Sequence, residues 1–179
     1  LPDHLPHRLI TCQILYEDEY FYWHPGINPI SLVRAMRQNI NSGKIVSGGS
    51  TLTMQVVRLA LGQRRRTYLQ KVWEILLTLK LELLFSKEEI LRTYLQHAPY
   101  GGNIVGASTA SWRYYGREID DLSWSEAAML AVLPNHPGQV FPGRGQEALL
   151  SKRNALINKL HKRGIIDLKE AELSLAEAL

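Results

Sequence analysis

Apolar residues recur at intervals of three and four along most of the chain, and no segment sustains the alternation, closed by a hairpin turn, that a half-buried strand needs. This spacing restricts the chain to a mainly α-helical fold. A first helix is expected over about residues 8–19, ending in Glu17-Asp18-Glu19. After the Pro25-Gly26 turn a second should run from near Pro29 to about Asn41, where Asn41-Ser42-Gly43 breaks it. Ser50 or Thr51 can cap a third helix over about 51–61, closed by Gly62, and a longer one follows over about 66–85. Ser86-Lys87-Glu88-Glu89 and Ser123-Trp124-Ser125-Glu126 both fit a reciprocal capping box. They predict helices over about 87–97 and 124–133, the second stopped by Pro134 and Pro137. Two more, over about 146–163 and 167–178, finish the chain, with Gly164 between them and Asp167 as a cap. The glycine-rich segment Gly43 to Gly49 is the best candidate for a mobile loop.

With 179 residues and 45% apolar content, residues 1–179 fit one domain, with two lobes around a cleft allowed. Cys12 is the single cysteine, which excludes an intramolecular disulfide and a cysteine-based zinc cluster. The chain starts at Leu1 without a charged leader into an apolar core, and so reads as a domain excised from a longer protein. Its richest apolar run, Ile75 to Phe85, is interrupted by Lys80 and Glu82 and is shorter than the roughly 20 residues a membrane span needs. Leu76, Leu77, Leu79, Leu83 and Leu84 within it are expected in the core, with membrane-surface contact the alternative.

Charge is distributed unevenly. The formal net charge of +4 is mild, yet between Glu19 and Glu74 there is no acidic residue. That stretch carries Arg34, Arg37, Lys44, Arg58, Arg64, Arg65, Arg66 and Lys71. A long one-signed segment bracketed by carboxylates points to an anion site with acid/base groups at its edges. At its centre Gly48-Gly49-Ser50-Thr51 leads into a helix, whose first amides and hydroxyls can face phosphate oxygens. Thr51, Gln55 and Arg58 fall on one face of that helix. The Gly-Lys-Ser/Thr ending of a P-loop is absent.

Glu17 and Asp18 lie beside the aromatic turn Tyr20-Phe21-Tyr22-Trp23-His24. Aromatic surroundings desolvate a carboxylate and make it a better proton acceptor near neutral pH, so Glu17 is a candidate general base. On the long helix Lys71 and Glu74 lie one turn apart, and Glu74 is the first carboxylate after the cationic run.

The motifs Glu17-Asp18-Glu19-Tyr20-Phe21-Tyr22-Trp23-His24-Pro25-Gly26, Gly48 to Gln55, Gln70-Lys71-Val72-Trp73-Glu74 and Lys87 to Leu95 occur in that order. Together they resemble the peptidoglycan glycosyltransferases of family 51, the glycan-polymerising domains of class A penicillin-binding proteins. Lys152-Arg153-Asn154-Ala155-Leu156-Ile157 is similar to the family's fifth motif, so the resemblance covers nearly the whole chain. It implies a lysozyme-like, bilobal helical domain: a head plus a smaller, membrane-proximal jaw. It implies polymerisation of lipid II with inversion and release of undecaprenyl pyrophosphate, the acceptor sugar's C4 hydroxyl attacking C1 of the donor. Glu17 would be the base and Glu74 the donor-side carboxylate, with Arg58 and Lys71 on phosphate. Asp18, Phe21, His24, Ser50, Thr51 and Gln55 would line the cleft. The implied partners are lipid II, the growing glycan strand and the membrane surface, but not nucleic acid. A membrane anchor and a transpeptidase domain would belong to the full-length protein, at the outer face of a bacterial cytoplasmic membrane. The resemblance fixes no cofactor, and it leaves open a divalent cation such as Mg2+ beside the pyrophosphate.

Departures from the family pattern are Gln70 where Arg is usual, Met54 where Gln is usual and Gln96 where Asn is usual, a variation that resembles the type 1C branch. Two other readings compete. A lysozyme-like hydrolase would use Glu17 as an acid but has little use for so many cations. A non-catalytic module binding anionic lipid or nucleic acid would use the arginines but leaves the bracketing carboxylates unexplained.

Overall fold

The structure, a computed structural model, describes residues 4–43, 49–62, 68–135 and 145–178. Most of the expected loop at Gly43 to Gly49, with Lys44, and the run Arg64 to Arg66 lie outside the described residues. Among the described residues the fold is helical, and the one extended pairing is an isolated bridge between Pro99 and Val105. The helices are α1 (His7–Glu17), α2 (Pro29–Ser42), α3 (Leu52–Leu61), α4 (Tyr68–Leu84), α5 (Lys87–His97), α6 (Ala107–Tyr115), α7 (Trp124–Val132), α8 (Gln146–Lys162) and α9 (Leu168–Ala176).

Their ends are set by side chains visible in the sequence. Thr51 caps α3 by accepting the Met54 amide, and Asn28 caps α2 by accepting the Ser31 amide ahead of Pro29. Complete capping boxes start α7 (Ser123 with Glu126) and α9 (Asp167 with Glu170). Ser86 and Glu89 exchange the same bonds at the start of α5. Helix α1 stops at Glu17, short of the expected end, because the Asp18 backbone leaves the helical region, at φ −158° and ψ 72°.

Helix α6 is absent from the sequence-based expectation. Its buried side are Ala107, Ala110 and Ser111, residues too small to register as an apolar stripe.

The chain forms two compact units: residues 1–19 with 95–179, and residues 20–94. In the first, α7 is central: every residue from Ser125 to Val132 is buried. Its alanines Ala127, Ala128 and Ala131 let neighbouring helices approach, and α1 and α8 pack on it. Leu9, Cys12 and Leu15 of α1 and Leu149, Leu156, Ile157 and Leu160 of α8 complete this core.

In the second unit α3 packs against α4, and Leu52, Met54, Val56 and Val57 of α3 are buried, as are Phe21, Ile90, Leu91 and Tyr94. Helix α4 is turned the opposite way from expectation. Its buried residues are Glu74 and Thr78, whereas Leu76, Leu79, Leu83 and Leu84 are exposed, Leu83 at 86%. Four of the five expected core leucines therefore form an outer face, and the fifth, Leu77, is half-buried. The cause is one-sided: Lys71, Glu74, Thr78 and Glu82 follow one another at three and four positions and make the polar contacts described below, so the apolar side of the same helix has to face outward.

Candidate active site

The candidate residues fall into two groups, one in each unit. In the second unit, four sequence-predicted residues meet. Glu74 Oε2 lies 3.3 Å from Arg58 Nη2 and 3.5 Å from Lys71 Nζ. The same Arg58 nitrogen donates to Ser50 Oγ at 3.3 Å. The Glu74 side chain is 9% exposed while those of Arg58 and Lys71 are 36% and 38% exposed, so the carboxylate is covered and the two cations remain open to solvent. An anion arriving from outside meets positive charge first. Gln55 lies on the same helix and accepts from Tyr94 Oη at 3.4 Å.

Thr51, Phe21 and His24 are buried rather than exposed. The Thr51 hydroxyl donates to the Gly26 carbonyl and accepts the Met54 amide, and its residue is 2% exposed. Phe21 is fully buried with His24 edge-on to it at 6.5 Å. All three hold the turn that leads from the aromatic motif into α2. Two glycines permit this geometry. Gly26 has φ +80°, and a Cβ there would come within 2.7 Å of Thr78 Cγ2 and 2.8 Å of Glu82 Cγ. A Cβ on Gly49 would press on the Leu32 backbone at 3.1 Å. Gly26→Ala is therefore expected to destabilise the protein by ~3 kcal/mol, combining a positive φ with overpacking. A thermal unfolding curve that superimposes on the wild type would contradict this.

Behind the turn lies a polar knot that sequence reasoning missed. Lys87 Nζ donates to the His24 carbonyl at 2.7 Å and to Glu82 Oε1 at 2.8 Å, and sits 4.5 Å from the centre of the Phe21 ring. Glu82 Oε1 also accepts from the Thr53 hydroxyl, and Thr78 donates to the Glu74 carbonyl. One lysine thus ties the aromatic turn to α3 and to the helix carrying Glu74. In the sequence Lys87 is legible as a member of its motif, but nothing local pairs it with His24, more than sixty residues earlier.

In the first unit, Glu17 ends α1 half-buried, and its Oε1 accepts from Asn135 Nδ2 at 3.3 Å. Tyr16 beside it stays protonated, its pKa pushed up to about 12 by burial and then by the charge of Glu17. Lys152 also faces Glu17: burial lowers its pKa, and the carboxylate opposes that shift. Asp18, next to it, is buried. Asn135 follows α7 in a single 3-10 turn and carries no sequence signal of its own. Lys152 was legible only as part of the fifth motif, in which the next residue, Arg153, is turned inward, fully buried, to the carbonyls of Leu175 and Glu177. Among the described residues no group of three or more His, Cys, Asp or Glu side chains could hold a metal ion.

A half-buried carboxylate with an amide donor, and a covered carboxylate beneath two open cations, are the parts needed for proton removal and for holding an anionic leaving group. The family model described as Transglycosylase matches residues 2–161. The chain belongs to the transglycosylase family. Penicillin-binding protein 1C of Escherichia coli is 42% identical to it over 172 residues, which is 96% of the chain and 22% of that protein. Penicillin-binding protein 1A of Aquifex aeolicus is 35% identical over 95% of the chain and 23% of its own length. A putative transglycosylase of Cupriavidus necator is 34% identical over 98% of the chain and 75% of its own length. The chain thus spans less than a quarter of the penicillin-binding proteins it resembles and most of the shorter relative. Membership covers α1 to most of α8, and so takes in both groups of candidate residues.

Proposed function

We propose that the two units work as one peptidoglycan glycosyltransferase domain, polymerising lipid II with inversion and release of undecaprenyl pyrophosphate. The observation that carries this reading is the placement of Arg58 and Lys71 over the covered carboxylate of Glu74, with Ser50 beside them. A departing pyrophosphate needs fixed cations where its charge develops. Glu17 is assigned the proton of the acceptor hydroxyl, a poor acid that requires a base in the transition state. Glu74 holds the two cations in place at the donor end, and Asp18, Phe21, His24, Thr51 and Gln55 shape the surroundings.

The outward apolar face of α4 supports contact with a membrane surface, where a polyprenyl-linked substrate resides. No helix among the described residues is long and apolar enough to cross a membrane. The length of the penicillin-binding relatives supports a transpeptidase domain and an anchor elsewhere in the full-length protein, working at the outer face of the bacterial cytoplasmic membrane.

Incubation with lipid II, followed by gel separation of the products, tests the reading. A ladder of glycan strands is expected; shortening of added polymer would indicate hydrolysis, and substrate binding without product would indicate a non-catalytic module. Arg58→Ala should raise the lipid II concentration needed for half-maximal rate by ~10-fold, the scale of a lost charge-assisted hydrogen bond. An unchanged titration would remove Arg58 from the phosphate site.

A further inference from the structure

Two residues beyond Glu17, another acid is held by two cations at the end of α8. Glu19 Oε2 lies 2.9 Å from Lys159 Nζ, and Glu19 Oε1 pairs with the Arg163 guanidinium. Lys159 in the last turn of α8 and Arg163, the residue capping its end, are one turn apart, so a single carboxylate bridges both. Lys159 also donates to the Leu15 carbonyl at 2.7 Å. Leu15 is among the last residues of α1, whose carbonyls have no partner within the helix. Helix α1 has no basic residue in its last turn, and this ammonium supplies the positive charge that a helix C-terminus favours. The contacts grip the chain on both sides of Glu17, at Leu15 before it and at Glu19 after it.

We propose that Glu19 is a positioning residue for Glu17. With Lys159 and Arg163 it pins the segment leaving α1 to α8, and so fixes the direction in which the Glu17 carboxylate leaves the helix. The proposal rests on the reading of Glu17 as the base. The side chains are partly exposed, Glu19 at 24%, Lys159 at 39% and Arg163 at 52%, and ion pairs of this kind contribute little to global stability. Catalytic geometry is less forgiving, since a displacement of ~1 Å at a reacting group can cost ~100-fold in rate. A positioning role therefore predicts a loss of rate without a matching loss of fold.

The test measures kcat, KM for lipid II and melting temperature for wild type, Glu19→Gln, Glu19→Asp, the charge swap Glu19→Lys with Arg163→Glu, and Glu17→Gln. Glu19→Gln is expected to lower kcat by ~10-fold while KM and melting temperature stay close to wild type. Glu19→Asp and the charge swap should each recover part of the loss, because a link between α1 and α8 is restored. Wild-type kcat in Glu19→Gln, with Glu17→Gln inactive, would overturn the positioning role and leave the base assignment standing. A loss of kcat that tracks a lower melting temperature and is not recovered by the swap would also overturn it. Full activity in Glu17→Gln would instead remove the base, and the positioning role with it.

Discussion

Glu17→Gln is expected to stop glycan polymerisation, lowering the rate by ~10²- to 10⁴-fold, the usual contribution of a positioned general base. The substitution preserves size, and the new side chain still offers an oxygen to the Asn135 amide that now binds Oε1. What it removes is the ability to take a proton. Arg58, Lys71 and Glu74 belong to the other unit and keep their mutual contacts, so capture of the lipid pyrophosphate should be largely unaffected. Binding of lipid II measured beside the polymerisation rate separates the two effects. Polymerisation at the wild-type rate would take Glu17 out of the chemistry, and loss of binding would show that its charge serves the substrate rather than the proton.

The largest effect on stability is expected from Lys87→Met. Lys87 is the partner of a Glu82 side chain that is only 9% exposed, and removing one member of a covered ion pair leaves an uncompensated charge. That costs ~3 kcal/mol or more, and for a chain of this size lowers the melting temperature by ~6–12 °C. The loss reaches further than one pair, because the same ammonium holds the His24 carbonyl and lies against the Phe21 ring. Replacing Glu82 by Gln in the Lys87→Met background removes the stranded charge and should recover part of the stability, a coupling that a double-mutant cycle measures. A melting temperature equal to that of the wild type would show that Lys87 is no more than a surface cation.

What the sequence makes legible is what is decided locally. Thr51, Ser123 with Glu126, and Asp167 with Glu170 announce helix starts because a cap acts within one turn. The meeting of Ser50, Arg58, Lys71 and Glu74 was also within reach, since a cationic run ending in one carboxylate leaves few partners to choose from. Asn135, more than a hundred residues from Glu17, and Lys87, more than sixty from His24, were not, because no local pattern links such distant positions. Helix α6 was missed because alanine and serine pack closely without leaving an apolar signal.

The inverted orientation of α4 is the most informative departure. Apolar periodicity reports which side of a helix avoids water, and by itself does not distinguish a protein core from a lipid surface. In this chain the polar side of α4 faces inward because Glu74 and Glu82 are both needed there, one beneath the open cations and one beneath the aromatic turn. The leucines left outside fit the membrane-anchored substrate proposed above. One helix thus carries Lys71 and Glu74 on one face and exposed leucines on the other.

The most direct measurement of the central claim is the stoichiometry of leaving-group release with lipid II as the only substrate. The mechanism predicts one undecaprenyl pyrophosphate released for each disaccharide added to a growing strand, with both products lost together in Glu17→Gln. Pyrophosphate release that yields free disaccharide without strand growth, or lipid II recovered intact, would contradict it.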